Sequence, residues 1–151
     1  RKTKSKPSNG IPSLPNRVNE DKLLVFYTLI SLQILDNILK FNYNSQYLVS
    51  FDCNILSKKN KCKQLFKIID IDVLKECIIM RVSFEDFVCN KDVIYEYIHE
   101  GYKFAVIIND DFKENFQLLE VFEYIVLNGK IENVSKLKTI DNVVIMDLIG
   151  V

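Results

Sequence analysis

Two adjacent carboxylates, Asp110 and Asp111, come after an apolar run at residues 104–108 and the single residue Asn109. Because every position of this run is apolar, it predicts a strand that is buried on both faces, as in a parallel sheet. Parallel α/β folds place their ligand sites at the C-terminal ends of such strands. Two like charges side by side repel each other, so the pair needs a cation, hydrogen-bond donors or open water. The pair therefore predicts either a cation site or a solvated turn in which Asp111 caps the next helix.

Further polar residues end the other predicted strands, and parallel strands would bring them to the same edge of the sheet. The candidate metal ligands are Asp52, Asp110, Asp111 and Asp147. Such an oxygen-rich set is typical of a Mg²⁺ or Mn²⁺ site. The candidate ligand-binding residues are Arg81, Asp110, Asp111 and Asn128. An arginine can hold a phosphate, but it can equally form ion pairs with the acids and make a metal unnecessary.

The elements that would position these residues alternate along the chain, which indicates parallel strands joined by right-handed crossovers. The predicted strands are residues 47–54, 77–82, 103–109, 123–127 and 143–147. The predicted helices are residues 22–41, capped by Asp21, and segments near 60–75, 90–100, 114–121 and 130–138. The expected fold class is α/β, with parallel βα repeats that form a partial TIM-barrel-like arc. The alternative is an open doubly wound sheet.

The composition is that of a single domain with a buried core, preceded by a tail. The chain has 151 residues, is 48% hydrophobic and carries 20 basic and 20 acidic side chains, which gives no indication of nucleic-acid binding. Residues 1–20 hold all three prolines and a basic cluster. We therefore expect a linker or tail over 1–20 and the domain over 21–151.

The apolar stretch at 23–35 has about 13 residues, fewer than the roughly 20 that span a bilayer, so it predicts a buried helix and no membrane span. The four cysteines show no CxxC spacing, and His99 is the only histidine, which argues against a zinc site. Free thiols of this kind indicate a reducing, cytoplasmic setting.

The carboxylate pair lies in the segment IINDDF at residues 107–112, which resembles the ALDDFGTG segment of EAL domains, the cyclic-di-GMP phosphodiesterases of bacterial signalling. Other segments resemble strands of that family in the same order. They are LVSFDCN at 48–54 (VNLS), IIMRVSFE at 78–85 (LEITES), FEYIVLN at 122–128 (VDYLKID) and VVIMDLIG at 143–150 (VVAEGVE). The resemblance covers about residues 22–151. It implies an EAL-type barrel fragment whose acids correspond to a two-metal site that acts on cyclic-di-GMP.

The departures from that pattern imply that the chemistry is lost. Arg81 stands at the glutamate of LEITE, Val126 at the lysine of KID and Asn128 at its aspartate. Residues 113–115 read KEN instead of GTG, and the chain has no EAL tripeptide. An arginine in place of a metal-ligating glutamate puts a fixed cation where two divalent cations would bind. We therefore expect no phosphodiesterase activity.

These observations leave three functions open. The first is a catalytically inactive EAL-like signalling module that acts through a protein partner or its own oligomer, or by binding cyclic-di-GMP. The second is a metal-dependent cyclic-di-GMP phosphodiesterase. The third is an unrelated domain of receiver or flavodoxin type, which a reversal in strand order would reveal.

Overall fold

Alternating helices and strands build one parallel sheet with helices against it. A computed structural model describes residues 16–42, 45–109, 111–128 and 144–147. The helices of this part of the chain are α1 (Asn16–Phe41), α2 (Lys59–Ile68), α3 (Asp72–Cys77), α4 (Phe84–Cys89) and α5 (Lys91–His99). Its strands are β1 (Tyr47–Ser50), β2 (Ile78–Ser83), β3 (Lys103–Asn109), β4 (Tyr124–Asn128) and β5 (Val144–Asp147). Two short 3₁₀ helices, Cys53–Ser57 and Phe116–Leu119, follow β1 and β3.

The five strands are all parallel and lie in sequence order, β1-β2-β3-β4-β5. The sheet curls like half of a barrel. A doubly wound sheet requires a reversal in strand order, and the described strands contain none. The prediction of an α/β fold with parallel βα repeats is confirmed, and the strand order is that of an arc.

The run of apolar residues in β3 is explained by burial on both faces of the sheet. Phe104, Val106 and Ile108 pack into the large core between the sheet and its helices. Ala105 and Ile107, which alternate with them, belong to a smaller apolar cluster on the opposite face, here called the inner face. A strand covered on both faces needs apolar side chains at successive positions, as the sequence predicted.

Helix α1 begins at Asn16, within the predicted tail and not at residue 22. Asp21 consequently lies inside the helix and does not cap it; its carboxylate instead forms an ion pair with Lys61 at 2.8 Å, which links α1 to α2. The sequence pattern did not predict this start, because apolar periodicity identifies only the helical turns that pack against the core. Polar turns that precede them can be helical without showing that pattern.

One face of α1 is a true core face. Tyr27 and Ile34 are buried, and the Tyr27 hydroxyl donates a hydrogen bond to the carbonyl oxygen of Ser50 at 3.0 Å. The segment Glu20–Phe41 is nevertheless long and apolar enough, by length and composition, to cross a membrane, and it is the one such helix among the described residues. Because Tyr27 and Ile34 pack into the α/β core, α1 is a helix of this domain and no clear membrane span.

The prediction of a buried helix is wrong for the other face of α1. In its most apolar stretch of 18 residues, only 17% of the residues are buried. Val25, Leu29 and Leu32 point to solvent. The helix is therefore apolar on two opposite sides, and only one of them is covered.

Several other boundaries differ from those predicted. β1 ends at Ser50 and not at 54, because the chain turns there into a 3₁₀ helix. The helix predicted near 60–75 is divided into α2 and α3, separated by a tight turn in which the Ile71 amide donates to the Ile69 carbonyl at 2.9 Å. The helix predicted near 114–121 is the 3₁₀ helix Phe116–Leu119. The helix predicted near 130–138 lies outside the described residues.

Candidate functional site

Polar side chains replace apolar ones where the strands end at their C-terminal side. The strand register places Ser50 of β1 beside Arg81 of β2, and Asn109 of β3 beside Asn128 of β4. We call these four residues the rim. Alternation along each strand puts them on the inner face, the face to which Ala105 and Ile107 belong. The sequence named Arg81 and Asn128 as candidates, and the structure places both here.

Arg81 is held by a neutral partner. Its Nη2 atom donates a hydrogen bond to the Ser50 hydroxyl oxygen at 2.6 Å. Backbone pairing supports this contact, because the Phe51 amide donates to the Arg81 carbonyl oxygen at 3.0 Å. On β3 the residue opposite Arg81 is the small Ala105, which leaves room for the guanidinium. No carboxylate on a described side chain lies within ion-pair distance of Arg81, a set that does not include the side chains of Asp110 and Asp147.

Two carboxamides close the other half of the rim. The Asn128 side-chain nitrogen donates to the Asn109 side-chain oxygen at 3.1 Å. The Asn109 carbonyl oxygen also accepts from the amide of Phe112 at 3.0 Å and so starts the turn after β3. Neither Ser50 nor Asn109 was among the predicted site residues. Only the strand register reveals them, because each is the direct cross-strand neighbour of a residue that was predicted.

The candidate metal ligand Asp52 has a local structural contact. Its Oδ1 atom accepts a hydrogen bond from the backbone amide of Asn54 at 3.0 Å and thereby caps the 3₁₀ helix after β1. Carboxylates at this position satisfy an amide that has no partner inside the helix. Such a cap is typical of aspartate, whose side chain commonly accepts a hydrogen bond from the backbone amide two residues further on.

The remaining predicted acids are placed differently from one another. Asp111 is exposed in the turn after β3. Asp147 ends β5, where its backbone pairs with that of Leu127 in β4. Asp110 lies outside the described residues. In the part of the chain that the structure describes, no three acidic, cysteine or histidine side chains come together as a metal site.

The prediction that Asp111 caps the next helix is wrong. The 3₁₀ helix Phe116–Leu119 is capped by Asn115, whose side-chain oxygen accepts from the amide of Gln117 at 2.9 Å. The intervening segment is fixed by Phe112, which is buried with its ring edge-on to that of Phe84 at 4.8 Å. Phe112, the last residue of the Asp-Asp-Phe motif, is thus an anchor for the turn that carries Asp111.

A cleft of about 410 Å³ opens beside this anchor, between α4 and the turn after β3. Its floor is apolar and includes Phe84, Ile108 and Phe112. Charged side chains at its edge include Glu85, Asp111 and Lys113. The cleft could take a flat apolar group with a polar edge, and its charges are of both signs.

In the part of the chain that the structure describes, the inner face carries no lysine and no reactive thiol at this end. Val126, at the position of the KID lysine, is fully buried against Ile79 and Ala105. Burial, with a smaller contribution from the nearby charges of Asp86 and Asp52, raises the pKa of the Cys53 thiol to about 12. At neutral pH Cys53 is therefore a protonated core residue and no nucleophile.

The described rim residues do not fit a pair of divalent metal ions. Such ions need several convergent carboxylate oxygens. The structure instead brings together a guanidinium, a hydroxyl group and two carboxamides, while Asp52 is engaged as a cap. This arrangement binds by hydrogen bonds and one positive charge. Comparison of the chain with protein-family models, curated proteins and solved structures gives no match.

Proposed function

We propose that this chain is a catalytically inactive EAL-like signalling module that acts by protein interaction. The proposal is supported by the order of segments that resemble EAL strands, together with a parallel sheet whose strands follow one another in sequence. In this interpretation the half-barrel is part of an EAL-type arc. The four cysteines form no disulfide bond and three of them are buried, which agrees with a cytoplasmic setting.

The observation that carries the proposal is the position of Arg81. Its guanidinium is fixed by the 2.6 Å hydrogen bond to Ser50 at the strand end where the resemblance expects a metal-ligating glutamate. Two unit charges of the same sign repel by about 4 kcal/mol at 4 Å for an effective dielectric constant of 20, and a divalent ion doubles that value. A metal pair beside Arg81 would therefore be strongly destabilised.

Two further substitutions remove parts that the reaction needs. The buried Val126 supplies no ammonium group, and Asn128 uses its side-chain amide to bond Asn109. An amide oxygen is a weaker ligand for a hard divalent cation than a carboxylate, because it carries no net charge. With these changes the four rim residues supply no carboxylate to hold a metal ion and no base to activate water.

An interaction role fits the edges of the sheet. β1 and β5 are its terminal strands, and each has one edge that no described strand pairs. Unpaired strand edges in native proteins are covered or used for association. The mixed charges around the cleft also fit a protein surface better than a polyanionic ligand.

A phosphodiesterase assay tests the proposal directly. Purified protein is incubated with cyclic-di-GMP and Mg²⁺ or Mn²⁺, with an active EAL phosphodiesterase as positive control, and the linear product is quantified by chromatography. We expect no product above the protein-free control. Hydrolysis at an enzymatic rate that is lost in Asp111→Asn would overturn the proposal in favour of the metal-dependent enzyme.

Calorimetric titration with cyclic-di-GMP separates the two forms of an inactive module. A protein-interaction module gives no heat and no thermal shift with the nucleotide. Saturable heat that disappears in Arg81→Met would show a nucleotide receptor instead, since an arginine at the rim would then hold the phosphate. Lys113→Met is a matched control at the edge of the cleft, because it removes a cation that has no part in the rim.

A further inference from the structure

We propose that the basic segment before α1, residues 1–15, docks onto the cleft between α4 and the turn after β3 of the same chain. We call this segment the basic tail. The proposal goes beyond the proposed function and does not depend on it, because it concerns a contact within one chain and does not involve the rim.

The cleft is apolar at its base and mainly acidic at its edge. Val88 contributes to the apolar surface and is 52% exposed, although it is a large aliphatic residue. The charged side chains that line the cleft in the described part of the chain are Glu85, Asp111, Lys113 and Glu114. None of these four takes part in an ion pair between described side chains. Three carboxylates against one ammonium group therefore give this edge an acidic excess that a basic segment would complement.

The basic tail has the opposite charge. Its cations are Arg1, Lys2, Lys4 and Lys6, and residues 1–15 contain neither aspartate nor glutamate. Lysine and arginine side chains have long aliphatic stems, which can lie along apolar surface while the charged group remains in water. Such side chains suit a cleft that combines an apolar base with an acidic edge.

Helix α1 brings the basic tail to the end of the sheet at which the cleft opens. Asn37 donates to the Tyr47 hydroxyl at the start of β1, whereas Tyr27 donates to Ser50 at its end. α1 is therefore antiparallel to β1. From Tyr27 the helix extends back to Asn16, which carries its N-terminus roughly 16 Å beyond Ser50 at about 1.5 Å per residue.

The cleft lies at a similar level. The strand register sets Ser50 of β1 level with Arg81 of β2, and Arg81 level with Ala105 of β3. Asn109, which lines the cleft, stands roughly 13 Å further along β3 at about 3.3 Å per residue. The start of α1 and the cleft thus lie at about the same distance beyond the level of Ser50.

The basic tail is long enough to span the remaining distance. Only β2 lies between β1 and β3, and two strand spacings with one layer of packed structure amount to roughly 20 Å. Residues 1–6 lie ten or more positions before Asn16. Ten extended residues span roughly 33 Å, so the four cations can reach the cleft.

Tethering favours this segment over a basic segment of another molecule. A short segment joined to the domain acts at an effective concentration on the order of millimolar, which a free partner would have to match. The acidic edge repels nucleic acid and anionic membrane surfaces, which disfavours both as occupants. A partner that uses the cleft must therefore displace the basic tail.

Paramagnetic relaxation enhancement in the full chain tests the contact. A nitroxide is attached at Ser5→Cys in a Cys89→Ser background, which leaves the three buried cysteines. We expect the amide signals of Lys113 and Glu114 to lose about half of their intensity, because exposed ion pairs are individually weak and the docked state is partly populated. The amide of Gly101, at the opposite end of β3, should keep its intensity. No loss at the cleft, or an equal loss at both ends, would overturn the proposal.

Neutralising the four tail cations to glutamine should abolish this signal loss. So should 1 M NaCl, at which the Debye length falls to about 3 Å. The matched control removes the same charge from exposed lysines that do not line the cleft and should leave the signal loss unchanged. Its substitutions are Lys58→Gln, Lys59→Gln, Lys63→Gln and Lys67→Gln. A signal loss that persists without the tail cations, or that disappears equally in the control, would contradict recognition by charge.

Charge exchange tests direct contact. Reversing the four tail cations to glutamate should abolish the signal loss. Adding Glu85→Lys, Asp111→Lys and Glu114→Lys in the same chain should restore it, because the opposite charges then face each other again. Melting curves check that each variant is folded. A folded rescue variant that recovers no signal loss would refute the contact.

A mixed sample shows whether one chain or two are involved. Nitroxide-labelled chains without ¹⁵N are mixed with ¹⁵N chains that carry no nitroxide, and we expect full signal intensity at the cleft. Signal loss there would show that the basic tail of a second copy is the occupant, which would overturn docking within one chain. These results are independent of the phosphodiesterase assay: a chain without docking can still be an inactive module, and hydrolysis would leave the docking intact.

Discussion

The two ends of the sheet each hold a cation, but in different surroundings. At the N-terminal end, Lys103 lies with its Nζ atom 2.9 Å from Glu76 and 3.8 Å from Glu123. At the C-terminal end, Arg81 donates to the neutral hydroxyl of Ser50. One cation is thus neutralised within the described part of the chain, and the other is only hydrogen-bonded there.

The difference indicates that ion pairs stabilise the N-terminal end of the sheet. Charges that are neutralised within the domain tie neighbouring elements together; Lys103 joins β3 to α3 and to the turn before β4. In parallel folds the C-terminal end of the strands is the end used for ligands. Among the described side chains, the Arg81 guanidinium is held by a neutral hydroxyl and is paired with no carboxylate. This contrast makes Arg81 the residue of greatest functional interest on the rim.

The largest effect is expected where the rim meets the core. Phe112→Ala should lower the free energy of unfolding by about 3 kcal/mol, as is typical when a buried phenylalanine is truncated. The Phe112 ring packs edge-on against Phe84 and Phe116 and fixes the turn after β3. Urea denaturation measures the change. Lys113→Ala, an exposed neighbour, should stay within about 0.5 kcal/mol; a Phe112→Ala loss as small as that would mean that the turn is not anchored by its ring.

The two ends should also differ in the pH at which they begin to lose stability. The pKa of Cys53, just beyond β1, is raised by burial from 9.0 to about 12. The pKa of Lys103 is raised above 10.5, because the hydrogen bond to Glu76 and the charge of Glu123 outweigh the lowering effect of burial. In both cases the folded protein keeps a proton that the unfolded chain loses. Stability is therefore complete below pH 9 and falls as pH rises.

The contributions of Cys53 and Lys103 to stability can be measured separately, because they are lost over different pH ranges. At pH 10 a thiol whose pKa is 9.0 in the unfolded chain and about 12 in the folded protein costs the folded state about 1 kcal/mol relative to pH 7. Lys103 loses its contribution only above pH 10.5. Urea midpoints of wild type and Cys53→Ala from pH 7 to 11 should converge as pH rises towards 10. Parallel curves would show that the Cys53 thiol has an ordinary pKa in the folded protein.

The sequence predicts the sheet well and the rim only in part. Apolar runs fixed the identity and order of the strands, because burial on both faces leaves a signal at every position. Helix and strand ends were less predictable, since polar caps such as Asp52 and Asn115 act locally and leave no periodic pattern. The Ser50–Arg81 and Asn109–Asn128 contacts depend on register between strands. Register is set by packing across the sheet and cannot be derived from either strand alone.

The exposed face of α1 was missed for a related reason. The apolar stretch correctly predicted a helix with a buried side, but a helix that is apolar on two sides gives no preferred direction in its sequence. Only the packing of Tyr27 and Ile34 shows which side is covered, and hence that Val25, Leu29 and Leu32 are not.

The smallest effect is also the most direct test of the contrast between the two ends. Lys103→Met keeps the aliphatic stem and removes the charge, so that Glu76 and Glu123 lose their shared cation. We expect a loss of about 1 kcal/mol for this partly buried pair, measured by urea denaturation. Among the contacts of the described side chains, Arg81→Met removes the solvent-exposed hydrogen bond to Ser50 and should cost about 0.5 kcal/mol.

Salt distinguishes the two causes, because at 1 M ionic strength the Debye length falls to about 3 Å and exposed ion pairs weaken. The cost of Lys103→Met should shrink in 1 M NaCl, whereas that of Arg81→Met should not change. If Arg81→Met shows the larger and more salt-sensitive loss, then the rim arginine is neutralised by an acid within the chain. Its charge would then be engaged inside the domain, and the rim would have no free cation to offer a partner.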